Sequence, residues 1–433
     1  YTQEELEGLV GSYVLRSLDY HIAMQGAPRI EDYLDEQECF DASGKRNMYI
    51  PYLKALNDYH TIPVVISEYG VTTGRGMAQV DQNTGRNQGH MTEQEQGQAL
   101  IDCYNDIREA GCAGSCAFTW QDEWFKRTWN TMHAVDLDNT PYWSDYQTNE
   151  QYFGLLAFDP GKEKSVCYVD GDISEWTEDD KVITSGDMEL SMKYDEKFLY
   201  YLVKKEHYDP ERDTICIPID TTQKSGSTYC EEYDVSFERG SDFLMMIHGK
   251  DESRIMVHKR YEALMSTYGE IYYLENPYVN PPSRTTPHFT DIYLPLILED
   301  VLPEKNSNIA KGVMYNTGKL RYGNANPDAE DFDSLSDYIF KGDYVEIRIP
   351  WQLLNFANPS EMKIHDDYFL HYGIEYITIN KMYVGVGTLE QDQRIRMAPF
   401  ALRPWGRTVT AHERLKKSYY ILQEYWKSLD EGN

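Results

Sequence analysis

The hydrophobic pattern changes period near residue 160, and that change limits the available folds more than any other feature of the chain. Before it, helix-like and strand-like segments alternate. Thr2-Gln3-Glu4-Glu5 starts a helix with Thr2 as N-cap, continued by Leu6, Leu9, Tyr13 and Val14 at helical spacing. Leu18-Asp19-Tyr20-His21-Ile22 suits a strand that reaches a polar end at His21. Asn47 to Tyr59 carries Ile50, Leu53 and Leu56 on one helical face, and the apolar run Val64-Val65-Ile66 follows. Thr92-Glu93-Gln94-Glu95 is a capping sequence for a helix through Ala110, which Gly111 ends. Gly114 to Trp120 is the next strand. This rhythm belongs to a parallel sheet covered by helices. Some 155 residues supply about three such units, whereas a closed eight-unit barrel needs roughly 250 residues.

After the change the period is two. Met188 to Tyr194 and Phe198 to Val203 alternate, and Asp195-Glu196-Lys197 joins them as a hairpin. Thr214 to Ile219, Tyr233 to Phe237, Phe243 to His248, Ile271 to Leu274, Tyr344 to Ile349 and Met382 to Val386 are further strand candidates. Pro281-Pro282-Ser283 and Asn324 to Asp333 suit long surface loops. Glu413 to Leu429 closes the chain as a helix, with Leu415, Tyr419, Ile421, Leu422 and Trp426 on its apolar side. The expected fold class is α/β plus all-β: a partial (β/α) barrel segment over 1–157, an antiparallel β-sandwich over 158–405 and a C-terminal helix over 406–433.

A net charge of −31 argues against nucleic acid and anionic membrane surfaces as partners and leaves neutral partners such as sugars open. No run of about 18 apolar residues crosses a membrane. The start at Tyr1 has neither an initiator methionine nor a signal peptide's regions, so native targeting is not readable there. The 36 tyrosines and 8 tryptophans suit stacking on pyranose C–H faces, and tyrosine equally suits β-sheets. The seven cysteines form no regular framework; Cys112-x3-Cys116 lacks a second pair, and small buried cysteines are the better reading. No cofactor or metal is expected.

Two short polar or aromatic segments stand at the ends of expected strands: Ser67-Glu68-Tyr69-Gly70 and Phe118-Thr119-Trp120. Over residues 10 to 155 this part resembles the carboxyl-terminal third of a TIM-type barrel from the clan of retaining β-glycosidases. The resemblance implies Glu68 as nucleophile on the seventh strand, Trp120 flooring the sugar site on the eighth, and His21 on the sixth. Retaining hydrolysis needs a second carboxyl about 5–5.5 Å from the nucleophile. The clan places it in an Asn-Glu on the fourth strand. The one such pair here, Asn149-Glu150, lies downstream and does not match that position. The acid is thus expected on barrel strands supplied by upstream sequence of the parent, and this chain is expected to be inactive alone. Tyr69, His21 or Arg75 could donate to Glu68. In the loop after Trp120, Trp124 and Trp129 suit sugar platforms, while Asp122, Glu123 and Arg127 suit hydroxyl contacts. An ordered packing loop fits those residues equally well.

Val169-Asp170-Gly171-Asp172-Ile173-Ser174-Glu175-Trp176 resembles the opening of family 9 carbohydrate-binding modules, typically Asp-Gly-x-x-x-Glu-Trp. Lys193 to Tyr200 and Tyr344 to Leu354, with its Pro350-Trp351 turn, fit the same fold. Trp176 and Trp351 are expected in the core. Asp170 and Asp172 have calcium-ligand chemistry, but two nearby aspartates are common in turns, and the turn is the better reading. The implied function is glycoside hydrolysis of a β-linked carbohydrate, with an extracellular or cell-envelope location. The alternative is a non-catalytic carbohydrate- or protein-binding module on a scaffold barrel remnant.

Overall fold

The computed structural model describes residues 39–431 apart from 48, 82–83, 274, 299–312 and 390–392. The helix expected after Thr2 and the strand carrying His21 lie outside the described residues. The fold is mixed, mostly antiparallel, with five α-helices among the described residues.

In the first part, helix Tyr49–Tyr59, strand Val65–Tyr69, helix Glu93–Glu109 and strand Gly114–Ala117 follow the expected order. The two strands pair in parallel, with Val65 opposite Gly114 and Ile66 opposite Ser115. The capping box forms: Thr92 Oγ1 accepts from Glu95 N at 3.1 Å and Glu95 Oε2 accepts from Thr92 N at 2.7 Å. Leu53, Ile66, Tyr69, Leu100, Ile107 and Leu422 bury together where the helices cover the pair. Among the described residues, side chains on the opposite face stay open to solvent. Val65 is 49% exposed, and Cys116 is exposed, against the expectation of a small buried thiol. Among the described residues this sheet stops at two strands, so no eight-stranded barrel is seen.

The second part is built on two antiparallel sheets. One runs Tyr338–Lys341, Tyr344–Pro350, Phe198–Lys205, Met188–Tyr194, Lys181–Ser185 in spatial order. The other runs Phe289–Asp291, Arg254–His258, Phe243–Ile247, Ile215–Asp220, Lys381–Gly385, Met397–Ala401. Leu190, Leu199, Tyr201 and Ile347 from the first meet Ile217, Phe243, Met245 and Val384 from the second in one core. Each such side chain contributes about 1.5–3 kcal/mol by leaving water. Trp351 lies within this core, as expected, whereas Trp176 is only partly buried, at the edge of a smaller cluster.

Two segments differ from expectation. Ile271 to Tyr273, expected in a strand, lie instead in helix Ala263–Tyr273, and Leu274 lies outside the described residues. Glu262 sets that helix by accepting from Met265 N with both oxygens at 2.9 Å, while Leu264 and Tyr268 are buried. The closing helix begins at Lys417, because Ala411–Leu415 first pairs antiparallel with Leu156–Pro160. It returns to the first part and packs on Glu93–Glu109 at Gly97, where an added Cβ would stand 3.0 Å from Ile421 Cβ and Ser418 Cα. The insertion after Glu68 also crosses over, pairing Met77–Val80 with Tyr293–Leu298. The parts are thereby stitched together at three places, the third being Arg75, which donates to both oxygens of Asp337 at 2.8 and 3.1 Å.

Candidate functional site

Glu68 sits near the carboxyl end of its strand with its side chain exposed. The register with the neighbouring strand shifts between Ile66 and Tyr69, so Ser67 and Glu68 sit at an irregularity. Gly70 follows because the two backbones nearly touch: a Cβ there would lie 2.2 Å from Phe118 O. Tyr69 turns the other way. Its ring is buried under the helices and burial pushes its hydroxyl up to about 12.

A second carboxyl, Glu150, feels the charge of Glu68, and spacing could not show it. Residues Asn149–Tyr152 form a single 3₁₀ turn running alongside the loop after Trp120. Glu123 N donates to Gln151 O at 2.9 Å and Leu156 N to Trp120 O at 2.8 Å. Thr72 hydroxyl bonds Asn149 O, and Gln88 amide bonds a Glu150 oxygen. Burial raises the Glu150 carboxyl above the ordinary glutamate range; Lys126 and the Gln88 bond oppose this, and the nearby charges of Glu123 and Glu68 add to it. Lys126 itself holds Glu123 Oε2 at 3.0 Å and lies 4.1 Å over the Phe118 ring. Three glutamates, one amide and one ammonium therefore share one electrostatic neighbourhood. The Asn149-Glu150 dipeptide is visible in the sequence, but its approach to Glu68 depends on contacts made over sixty residues away.

The remaining expected residues scatter. Trp120 is 55% exposed, with its ring edge-on to Tyr419 at 6.1 Å. Asp122 is buried against Lys416 Nζ at 2.7 Å, so it braces the closing helix rather than facing a ligand. Trp124 is buried, Arg127 is exposed and Trp129 is half-buried. Arg75 is committed to Asp337, Gln147 and Thr317, so it is no donor to Glu68. His21 lies outside the described residues.

In the second part, Asp170 accepts from Asp172 N and from Asn326, and Asp172 from Ser174 N, which is a turn. The opening motif converges instead on buried Glu346, which accepts from Trp176 Nε1 at 2.9 Å and Gly171 N at 2.7 Å. Cys167, Glu175 and Glu346 offer one ligand atom each within 4.8 Å of one another, but Glu346 already holds the motif together. Searches of family models, curated proteins and solved structures return no match to this chain.

Proposed function

We propose that the chain is the carboxyl-terminal portion of a retaining glycoside hydrolase acting on a β-linked carbohydrate, with Glu68 as nucleophile. The observation that carries this reading is an exposed glutamate near the carboxyl end of one strand of a parallel pair, within electrostatic reach of Glu150, a carboxyl held toward its acid form. Retaining hydrolysis needs one carboxylate to attack and one carboxylic acid to protonate the leaving oxygen. Glu68 Oε attacks the anomeric carbon and the bond to the leaving oxygen breaks. That oxygen takes a proton from a carboxylic acid, and water then releases the sugar from Glu68. The family resemblance assigns the acid to strands upstream; within this chain Glu150 is a carboxyl that the charge of Glu68 acts on. The resemblance of the second part to family 9 carbohydrate-binding modules supports the same class of ligand.

Activated 2-deoxy-2-fluoroglycosyl fluorides test Glu68 separately from the acid, because fluoride leaves without full protonation. Incubation with gluco-, galacto-, manno- and xylo-configured reagents, then peptide mass spectrometry, should place one sugar on Glu68. Glu68→Gln should take none. Labelling elsewhere, or none with any of the four, sinks the assignment. The second reading, a carbohydrate- or protein-binding module without turnover, draws on Asp122 and Trp124, which the fold has absorbed. It expects no label and retained glycan binding.

A further inference from the structure

Tyr372 is placed at a double disadvantage. It is 74% exposed, and its backbone sits at φ +56, ψ +42, closing the short helix Tyr368–His371. Asn or Gly fills a left-handed cap with less strain than a bulky aromatic residue, and an exposed ring gains nothing from burial. Stability alone therefore does not account for a tyrosine here.

The surroundings hold that ring in place. Tyr278 lies 4.7 Å from it, tilted by 46°. Tyr278 in turn stacks on buried Tyr368 at 5.5 Å with ring planes 6° apart. The hydroxyls of Tyr278 and Tyr368 both donate to Glu270 Oε2, at 3.3 and 2.8 Å. Val279, next to Tyr278 in sequence, and Leu370, in the short helix that Tyr372 caps, are also exposed, at 67% and 46%. At the cap of the same short helix, Asp367 is met at 3.5 Å by Arg284 from another loop, whose side chain is 53% exposed. The result is a rigid aromatic ledge with hydrogen-bonding groups at its border.

We propose that the Tyr278–Tyr372 ledge is a sugar-binding site, with Tyr372 stacking on the C–H face of a neutral pyranose in a polysaccharide. The apolar ring face matches that surface, the bordering groups match hydroxyls, and the net charge of −31 disfavours acidic glycans. The proposal shares a ligand class with the reading above but uses none of the Glu68 site.

Native affinity electrophoresis through gels containing hydroxyethylcellulose, xylan, galactomannan, xyloglucan or β-1,3-glucan tests it. The whole chain should be retarded by at least one of the five. Tyr372→Asn should bind about tenfold more weakly or worse while melting at the same temperature or higher. Tyr278→Ala should also weaken retardation. Retardation reads binding at the ledge and the fluoroglycoside label reads Glu68, so either result can fail without the other. The proposal is overturned if no probe retards the parent, or if Tyr372→Asn is retarded equally. It is also overturned if Tyr372→Asn loses retardation only together with a lowered melting temperature. A ledge that instead holds a protein gives the first of these results.

Discussion

Asp145 is 2% exposed, and burial pushes its carboxyl up to about 7 despite bonds from Gln147 N and Thr148 Oγ1. A carboxyl raised in the folded state binds its proton more tightly there than in the unfolded chain. The folded state thus holds the extra proton from about pH 4 up to about pH 7, and stability falls as pH rises through that window. Asp242, Glu262 and Glu346 are raised to about the same value by burial. Melting temperature should therefore be several degrees higher at pH 5 than at pH 8, where all four are ionised. Asp145→Asn keeps an acceptor for Gln147 N and removes the titration. It should flatten the melting curve's pH dependence; an unchanged slope in thermal melts would show that Asp145 titrates normally.

At the scale of elements, the helix Glu93–Glu109 concentrates two separable effects. Thr92→Ala removes the capping box and should cost about 1 kcal/mol in urea denaturation. Gly97→Val places a branched side chain where Ile421 and Ser418 already stand at 3.0 Å and should cost about 1–3 kcal/mol. A cost at Gly97 no larger than that of an exposed helix position would mean that the helices are not in close contact. The first effect was legible in the sequence, because a capping box is local. So were the hairpin from Met188 to Lys205 and the strand delivering Glu68. Ile271 was not. Its β-branched and aromatic neighbourhood suggested a strand, while Glu262, nine residues earlier, had already begun a helix. The closing helix was mistaken at its start for the converse reason, since Glu413 and Leu415 serve a strand whose partner lies at 156–160. Glu68 and Trp120 could be found from the apolar runs before them. The placement of Glu150, whose carboxyl feels Glu68, could not, because Gln88, Thr72 and Thr128 fix it from distant segments.

Over the whole molecule, buried ion pairs mark where distant segments meet. Arg414 holds Glu93 and Asp159 while Lys416 holds Asp122, all within the short stretch before the closing helix. Lys416→Met leaves Asp122 buried without its counter-ion and should cost about 3–5 kcal/mol by chemical denaturation. The double change with Asp122→Asn should recover part of that loss. A Lys416→Met protein of unchanged stability would show that Asp122 is neutral in the fold.

The return of the last helix to the first part sets an order of events during synthesis. Some three hundred residues separate helix Glu93–Glu109 from Lys417–Glu431. At translation speeds of roughly 5–20 residues per second, the early helix waits on the order of tens of seconds for the surface that covers Gly97. The antiparallel sheets leave the ribosome in that interval and can close on themselves. Until the final turn emerges, the strand carrying Glu68 is flanked by an unfinished layer, and this nascent stage is the one a chaperone has most reason to occupy.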